Sequence, residues 1–486
     1  MSGKSNFADY EPLVNPKRSE AFEEDEFSVG RSKTFGDQTG PIENEAAEAV
    51  ISAKVDPSQV FATPARTGQT ALKAGHLVSF LGLFIFTFLV FFRPYEWSPS
   101  MTWLSKGALI TAIATLLFFV PTQLGLENQL TIRPREVNLV LLLLLLGFLS
   151  VPLATDKLRA WNAFVDYIKV VIMFIVMVNV IRNESRLKAL ILLILVASCI
   201  VSIGGLNEYR AGNLAVEGKR ITGIIGNLFE NPNDLALHLV TVIPIVIALG
   251  LGSRNPFSKL LYFGTSFILL AGTVVTFSRA GFLGLICMFG VLAWRLMRGN
   301  KPIVFIGGAL LVVLFLALAP GAYRSRLATT KDDSATARTD ELKRSIYITI
   351  RHPLLGVGMN NFVVYSNSEH ATHNAYTQVS SEVGVPAGVI YVLFLVAAFK
   401  RTRRMPHPRE VDKRDRGLPY LAIGLQAALV GFMVSSFFAS VAFVWYIYYL
   451  VAYIICIDRF WIASGKMPLQ SPDQAPLEAS KSLAGI

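Results

Sequence analysis

The sequence predicts an all-α, polytopic integral membrane protein of about 12 transmembrane helices, with a large loop that contains short helices on one side. Three observations predict it. Apolar runs of about 20 residues recur along the chain, the length a helix needs to cross a hydrocarbon core of about 30 Å. Of the 486 residues 53% are hydrophobic and only 16% charged, with 33 Phe. The Lys and Arg behind the net charge of +11 lie between the apolar runs, where they orient a chain in a bilayer. A nucleic-acid partner is excluded by that scattering, and membrane lipids are the expected surroundings.

The expected spans are 76–92, 104–121, 137–154, 163–181, 187–206, 234–252, 258–277, 280–296, 302–320, 384–399, 417–436 and 440–457. Before them, residues 1–72 carry Gly, Ser, Pro and mixed charge without a helical or alternating period, which predicts a disordered tail. That stretch is too long, and too acidic at Glu23, Glu24, Asp25 and Glu26, to read as a short basic leader, so the first span is expected to remain as an anchor. The organisation is then a cytoplasmic tail at 1–72, a transmembrane domain at 73–460 and a flexible cytoplasmic tail at 461–486. Cys199, Cys287 and Cys456 all fall inside apolar runs and read as small buried hydrophobes.

Orientation follows from the basic residues. Arg133 and Arg135, Arg182 to Lys188, Arg254 and Lys259, Arg295 to Lys301, and the cluster KRTRRMPHPREVDKRDR at 400–416 share one side, which assigns it and both termini to the cytoplasm. Three features then face outward: the loop 207–233, the turn FSRAG at 277–281 and the long segment 321–383. No repeat relates the two halves of the chain, so the main sequence cue for an inverted-repeat transporter is missing.

The long outer segment contains an amphipathic helix that starts near Thr339. Leu342, Ile346, Ile348 and Ile350 give it an apolar side, and Glu341, Lys343, Arg344 and Arg351 a polar one, so it is expected to lie along the membrane surface. Pro353 ends it, and Gly356 and Gly358 allow a tight path to Asn360 and Asn361. HNAYTQVSSEVG, 373–384, follows. On a helical wheel His373, Thr377, Ser380 and Gly384 share a face, with Asn374 and Gln378 beside it. Glu382 projects roughly opposite His373, so any carboxylate that orients the imidazole must come from elsewhere, and Glu382 is expected to fix local structure. Taken alone, His373 reads first as an ordinary hydrogen-bonded loop histidine. His370 and His373 have a metal-like spacing, but two histidines do not complete a zinc site and HExxH is absent, so a metal-independent site is expected.

In NPND, Asn231 as N-cap, Pro232 at the first helical position and Asp234 close behind specify a helix start. That start, aimed outward, offers backbone N–H groups to an anion, with Arg220 nearby in sequence; Asp234 argues against direct phosphate contact there. In FSRAG, Ser278 reads as an N-cap and Arg279 falls in the first turn. An arginine at this depth either snorkels to the headgroups or meets an anion such as a diphosphate, for which its fork of donors is suited. Asn374, Arg210, Arg338 and Asn233 complete the candidate binding set. Trp97, Trp103, Tyr209 and Tyr365 of the outer loops suit interfacial anchoring or stacking on sugars.

These features, in this order, resemble the O-antigen ligase and polymerase family of bacterial membrane proteins. The matching pieces are RITGIIGNLFENPNDLA (220–236), FSRAG (277–281), ARTDELKRSIYITIRHPLLGVGMNNF (337–362) and HNAYTQVSSEVGVPAG (373–388), and the similarity covers roughly residues 200–400. The resemblance implies glycan transfer at the periplasmic face of the inner membrane, without cofactor or metal, from a polyprenyl-diphosphate-linked glycan donor to an acceptor hydroxyl. The acceptor is the lipid A core in ligases and another lipid-linked repeat unit in polymerases. By the same resemblance His373 is the general base, Arg220 and Arg279 bind the diphosphate, and displacement inverts the anomeric carbon. An unperturbed histidine titrates near ~6.5, suited to taking a proton from a sugar hydroxyl. The alternative is a transporter or flippase of a lipid-linked glycan. That would place ionisable groups near mid-membrane on several spans, whereas here Asp166 and Lys169 are the main exceptions to charge at the outer ends.

Overall fold

A computed structural model describes residues 75–97, 99–213, 231–297, 333–366 and 371–465. Arg220, His370, the expected span at 302–320, the expected tail at 1–72 and all but 461–465 of the expected tail at 461–486 lie outside them. The described residues form helices and no strand. In chain order the main helices are α1 (Leu77–Phe92), α2 (Gly107–Glu127), α3 (Arg135–Ser150), α4 (Lys157–Val180), α5 (Glu184–Ala211), α6 (Pro232–Gly252), α7 (Pro256–Val275) and α8 (Arg279–Leu296). They continue with α9 (Asp333–Arg351), α10 (Ala375–Glu382), α11 (Val385–Thr402), α12 (Gly417–Ser435) and α13 (Trp445–Ala463). Among the described residues, 10 helices are long and apolar enough to cross a membrane. The protein is an all-helical, polytopic membrane protein, and every expected span that falls on described residues coincides with a helix. At 16 residues, α3 is about 24 Å long and is not among the ten.

The sequence marks these helices at their ends. Asn183, Asn231, Asn255 and Ser278 each accept a hydrogen bond from a backbone N–H of the first turn they cap, and Pro232 and Pro256 follow two of them, where a missing N–H costs nothing. In a bilayer this matters more than in water, because a helix end has no solvent to satisfy it within the hydrocarbon.

Packing of α6 against α8 and α12 forms the centre of the bundle. Small residues permit it. A Cβ on Gly281 of α8 would stand 2.7 Å from the Ala236 Cβ of α6, and one on Gly424 of α12 would stand 2.6 Å from the Pro244 carbonyl oxygen. Close backbone approach replaces the missing hydrophobic driving force between helices in lipid. The starts of α6 and α8 are thereby brought side by side.

Polar ties separate the two ends of the bundle. At one end the backbone N–H of Asp156 donates to Asn361 Oδ1 at 2.7 Å, the Asn361 amide donates back to the Asp156 carbonyl at 3.1 Å, and Thr155 and Tyr365 share a hydroxyl contact of 2.8 Å. Thr372 meets Ser440 there at 3.0 Å. At the opposite end Arg401 forms a two-pronged pair with Glu136 (2.8 and 2.7 Å) and reaches Asp458. Arg182 pairs with Glu127 beside Gln123, Asn179 and His76. This second end also carries Arg133, Arg135, Arg186, Lys188, Arg254 and the basic 400–416 segment, so the bundle is asymmetric in charge. All the motif residues that the structure describes stand at the first end.

Candidate active site at the motif-bearing end

Two helix starts meet first. The Asn231 side chain accepts from the Asn233 backbone N–H at 2.9 Å and caps α6 as its sequence predicts. Ser278 Oγ accepts from the Gly281 N–H at 3.1 Å, capping α8, and donates to the Asn233 side-chain oxygen at 2.8 Å. NPND and FSRAG are thus joined by one buried hydrogen bond, and two helix N-termini, each with the positive end of its dipole, open side by side. The turn from α7 to α8 places Phe277 at φ 53, a left-handed conformation that costs a bulky residue of order 1–3 kcal/mol. Burial of its ring, 3% exposed and 5.8 Å from the Tyr209 ring of α5, offsets that cost.

Arg279 follows in the first turn of α8, half-buried. Arg210, at the last turn of α5 beside Tyr209, is exposed. Arg338 of α9 is half-buried and within electrostatic reach of Asp234 on α6. Thus the first turns of α9 come near the start of α6.

His373 is not on a helix. It has φ 49, and the next residue, Asn374, is the N-cap of α10, its side-chain oxygen accepting from the backbone N–H groups of Tyr376 at 2.9 Å and Thr377 at 3.0 Å. The expected wheel with His373, Thr377, Ser380 and Gly384 on one face therefore does not form: α10 begins two residues after His373 and ends at Glu382, before Gly384 at φ 101. Asn374, buried, spends its acceptor on the helix start. The imidazole Nε2 lies 3.7 Å from Glu341 Oε2, the histidine side chain 25% exposed and the glutamate 8%. The carboxylate beside the histidine comes from α9, remote in sequence.

Helix α9 inverts the expected partition of its faces. Glu341, Arg344, Ser345 and Ile348 point inward, while Ile346 and Ile350 are 47% and 72% exposed. The stripe Leu342, Ile346, Ile350 suits a helix lying on a membrane; the polar stripe turns to the protein because its partners are there. Arg344 donates to the Tyr365 backbone carbonyl and Glu341 meets His373. Tyr365 itself is buried, its hydroxyl against Thr155, so it is no platform for a sugar.

The histidine turn is held on both sides. Tyr376 donates to the Met433 carbonyl at 2.8 Å, and the Ala442 N–H donates to Gln378 at 3.3 Å, fixing α10 on the α12–α13 connection. Behind α10, the Val357 and Gly358 N–H groups donate to the Ser381 and Glu382 carbonyls at 3.0 and 2.8 Å. Gly356, at φ 64, lies so close to the Glu382 backbone that any side chain there would collide with it. The Glu382 carboxyl accepts from the Asn360 and Phe362 backbone N–H groups; burial pushes it up to about 8, against the opposing pull of those donors. Its Oε2 is buried with no hydrogen-bond partner among the described residues, which favours the neutral acid. Glu382 thus latches the GVGMNNF turn to α10.

Sequence reading placed Glu341 on the polar side of a helix along the membrane surface and gave it no partner. The available signal was a second stripe at helical spacing, Glu341, Arg344, Ser345 and Ile348, whose mixed polarity suits a buried polar contact.

Residues 264–392 match the sequence model of a family described as O-antigen ligase. The match takes in FSRAG, α9 with Glu341 and the histidine turn, the elements just assembled. No curated protein matches the chain.

Proposed function

We propose that this membrane protein, which carries an O-antigen ligase-family segment at 264–392, transfers a glycan from a polyprenyl-diphosphate carrier to an acceptor hydroxyl at the periplasmic face of the inner membrane. The family makes glycosyl transfer of the O-antigen ligase and polymerase kind its general activity; donor, acceptor, residue roles and membrane side are our reading. The observation that carries it is the pairing of His373 with Glu341 at 3.7 Å, the glutamate on a helix whose Arg338 is within electrostatic reach of Asp234 at the start of α6.

His373 takes the proton of the acceptor hydroxyl as that oxygen attacks the anomeric carbon. The carbon–oxygen bond to the diphosphate breaks, the carrier diphosphate leaves with the bonding electrons, and the configuration inverts. Glu341 stabilises the imidazolium as it forms. The leaving diphosphate gathers charge, which Arg279, supported by Arg220 and the dipoles of two helix N-termini, stabilises. The placement of Arg279 supports this role. A cation in the first turn of a helix opposes the dipole at a cost of about 0.3–1 kcal/mol, so an anion bound there relieves a cost that the sequence carries. Arg338 and Arg210 flank the same place, and Asn233 and Asn374 position the groups beside them through their hydrogen bonds. The periplasmic assignment rests on the basic residues at the opposite end.

The reading is tested by expressing His373→Ala and Arg279→Ala in cells lacking this gene and resolving surface glycan on a gel. Both variants should insert normally and lose glycan attachment; full-length attached glycan from either, at normal protein level, would overturn the assignment. In the deletion itself, long polymer left on the carrier indicates a ligase, and single repeat units on lipid A a polymerase.

A further inference from the structure

Helix α4 carries Arg159, Asn162, Asp166 and Lys169 in one exposed stripe, aligned by spacings of three and four residues. At its start the stripe borders an open cleft of about 420 Å³ that also takes in Asp156, Leu158 and Ala163 and reaches Asn360 on its far side.

The stripe runs too deep for lipid. With 24 residues, α4 is about 36 Å long, and Asp166 and Lys169 stand about 14 and 18 Å from its start. The helix left beyond Lys169, about 17 Å, cannot cross a hydrocarbon core of about 30 Å. Yet the Lys169 and Asp166 side chains, paired at 2.7 Å, remain 47% and 75% exposed. Charged groups at such depth face water or the bundle interior rather than acyl chains. Paired with each other and exposed, the two groups suit a flank that holds water down to Lys169.

The far wall belongs to the machinery around His373. Asn360 has φ 56, its N–H is held by Glu382, and Asn361 is clamped to Asp156 by two hydrogen bonds. The cleft is thus joined to the end of α10, an eight-residue helix of about 12 Å that starts beside His373.

We infer that this cleft is the subsite for the sugars of the acceptor glycan, an inference that rests on the glycan-transfer reading above. Carboxylates and amides at Asn162, Asp166 and Asn360, with the Arg159–Asp156 ion pair at 3.6 Å beside them, match the paired hydroxyls of a carbohydrate. The watered flank lets an acceptor anchored in the membrane enter sideways with its sugars hydrated. The donor diphosphate goes to Arg279 and Arg220; the cleft is tied through Asn360 and Glu382 to the far end of the short helix that starts beside His373, and the base acts on the acceptor.

The test titrates purified full-length protein with two lipid-free oligosaccharides, the lipopolysaccharide core and a released repeat unit, following binding by thermophoresis. One of them should saturate, and Asn162→Ala and Asp166→Ala should each weaken it by about tenfold or more with unchanged melting temperatures. No saturation by either sugar, or wild-type binding by both variants, overturns the subsite. In cells, Asp166→Cys should react with a membrane-impermeant maleimide; a thiol that stays unlabelled in correctly inserted protein overturns the watered flank. Transfer separates the two levels. If His373→Ala abolishes transfer while Asn162→Ala and Asp166→Ala bind and transfer as wild type, the cleft assignment alone fails. If His373→Ala transfers fully, the underlying reading fails.

Discussion

The imidazole of His373 and the carboxylate of Glu341 come from segments 32 residues apart, and His373 is not set where a helical period would put it. His373 sits at a left-handed position ahead of a cap, and Glu341 on the inward side of a surface-type helix. An ion pair at this separation and partial burial is worth about 1–3 kcal/mol to the protonated ring, after discounting for solvent. Glu341→Gln should therefore slow glycan transfer by roughly ten- to a hundredfold while leaving insertion intact; transfer at the wild-type rate would remove Glu341 from the mechanism. Glu382 makes a separate prediction. Its folded-state value, about 8, lies above the ~4.3 of a free glutamate, so the stability it contributes is fully present below that lower value and is lost as pH rises to about 8. Melting temperatures in detergent should fall across this window for the wild type and fall less for Glu382→Gln. Equal slopes would place the titration elsewhere.

At the scale of elements, caps were legible and faces were not. Asn231 and Ser278 announce α6 and α8 because Asn or Ser before a helical run, with Pro at the first position of α6, leaves the chain few alternatives. Their mutual contact, Ser278 to Asn233, is tertiary and carries no local signal. The start of α10 was misread because His-Asn-Ala-Tyr continues a helical period backwards without a break. Only the hydrogen bonds of Asn374 show where it stops. The inward turn of α9 escaped because polar residues were assumed to seek water, whereas on a membrane surface the apolar stripe faces lipid and the polar one meets protein. Ser278→Ala removes a cap and a buried partner of Asn233, so it should cost about 1–2 kcal/mol of stability, measurable as a lowered melting temperature. An unchanged value would show that the joined helix starts do not depend on this bond.

For the whole molecule, run length and hydropathy were enough to place the helices, since the bilayer constrains backbone polar groups so severely. The asymmetry of basic residues gave a direction, and the structure adds that the motifs share one end and the ionic networks the other. Arg401, between Glu136 and Asp458, both 1% exposed, links α11 to α3 and α13. Arg401→Ala would leave two buried carboxylates without their cation, a loss of about 3–5 kcal/mol; accumulation and melting temperature should both drop, and wild-type values would mean that the network is dispensable. The networks thus tie the helices together at the basic end.

The most direct measurement is surface glycan in cells that lack the chromosomal gene and express His373→Ala, with membrane insertion verified in parallel. Attached glycan should fall by about a hundredfold or more, the scale of a lost general base. Wild-type levels of attached glycan, from a variant that is inserted and abundant, would contradict a catalytic role for the histidine turn.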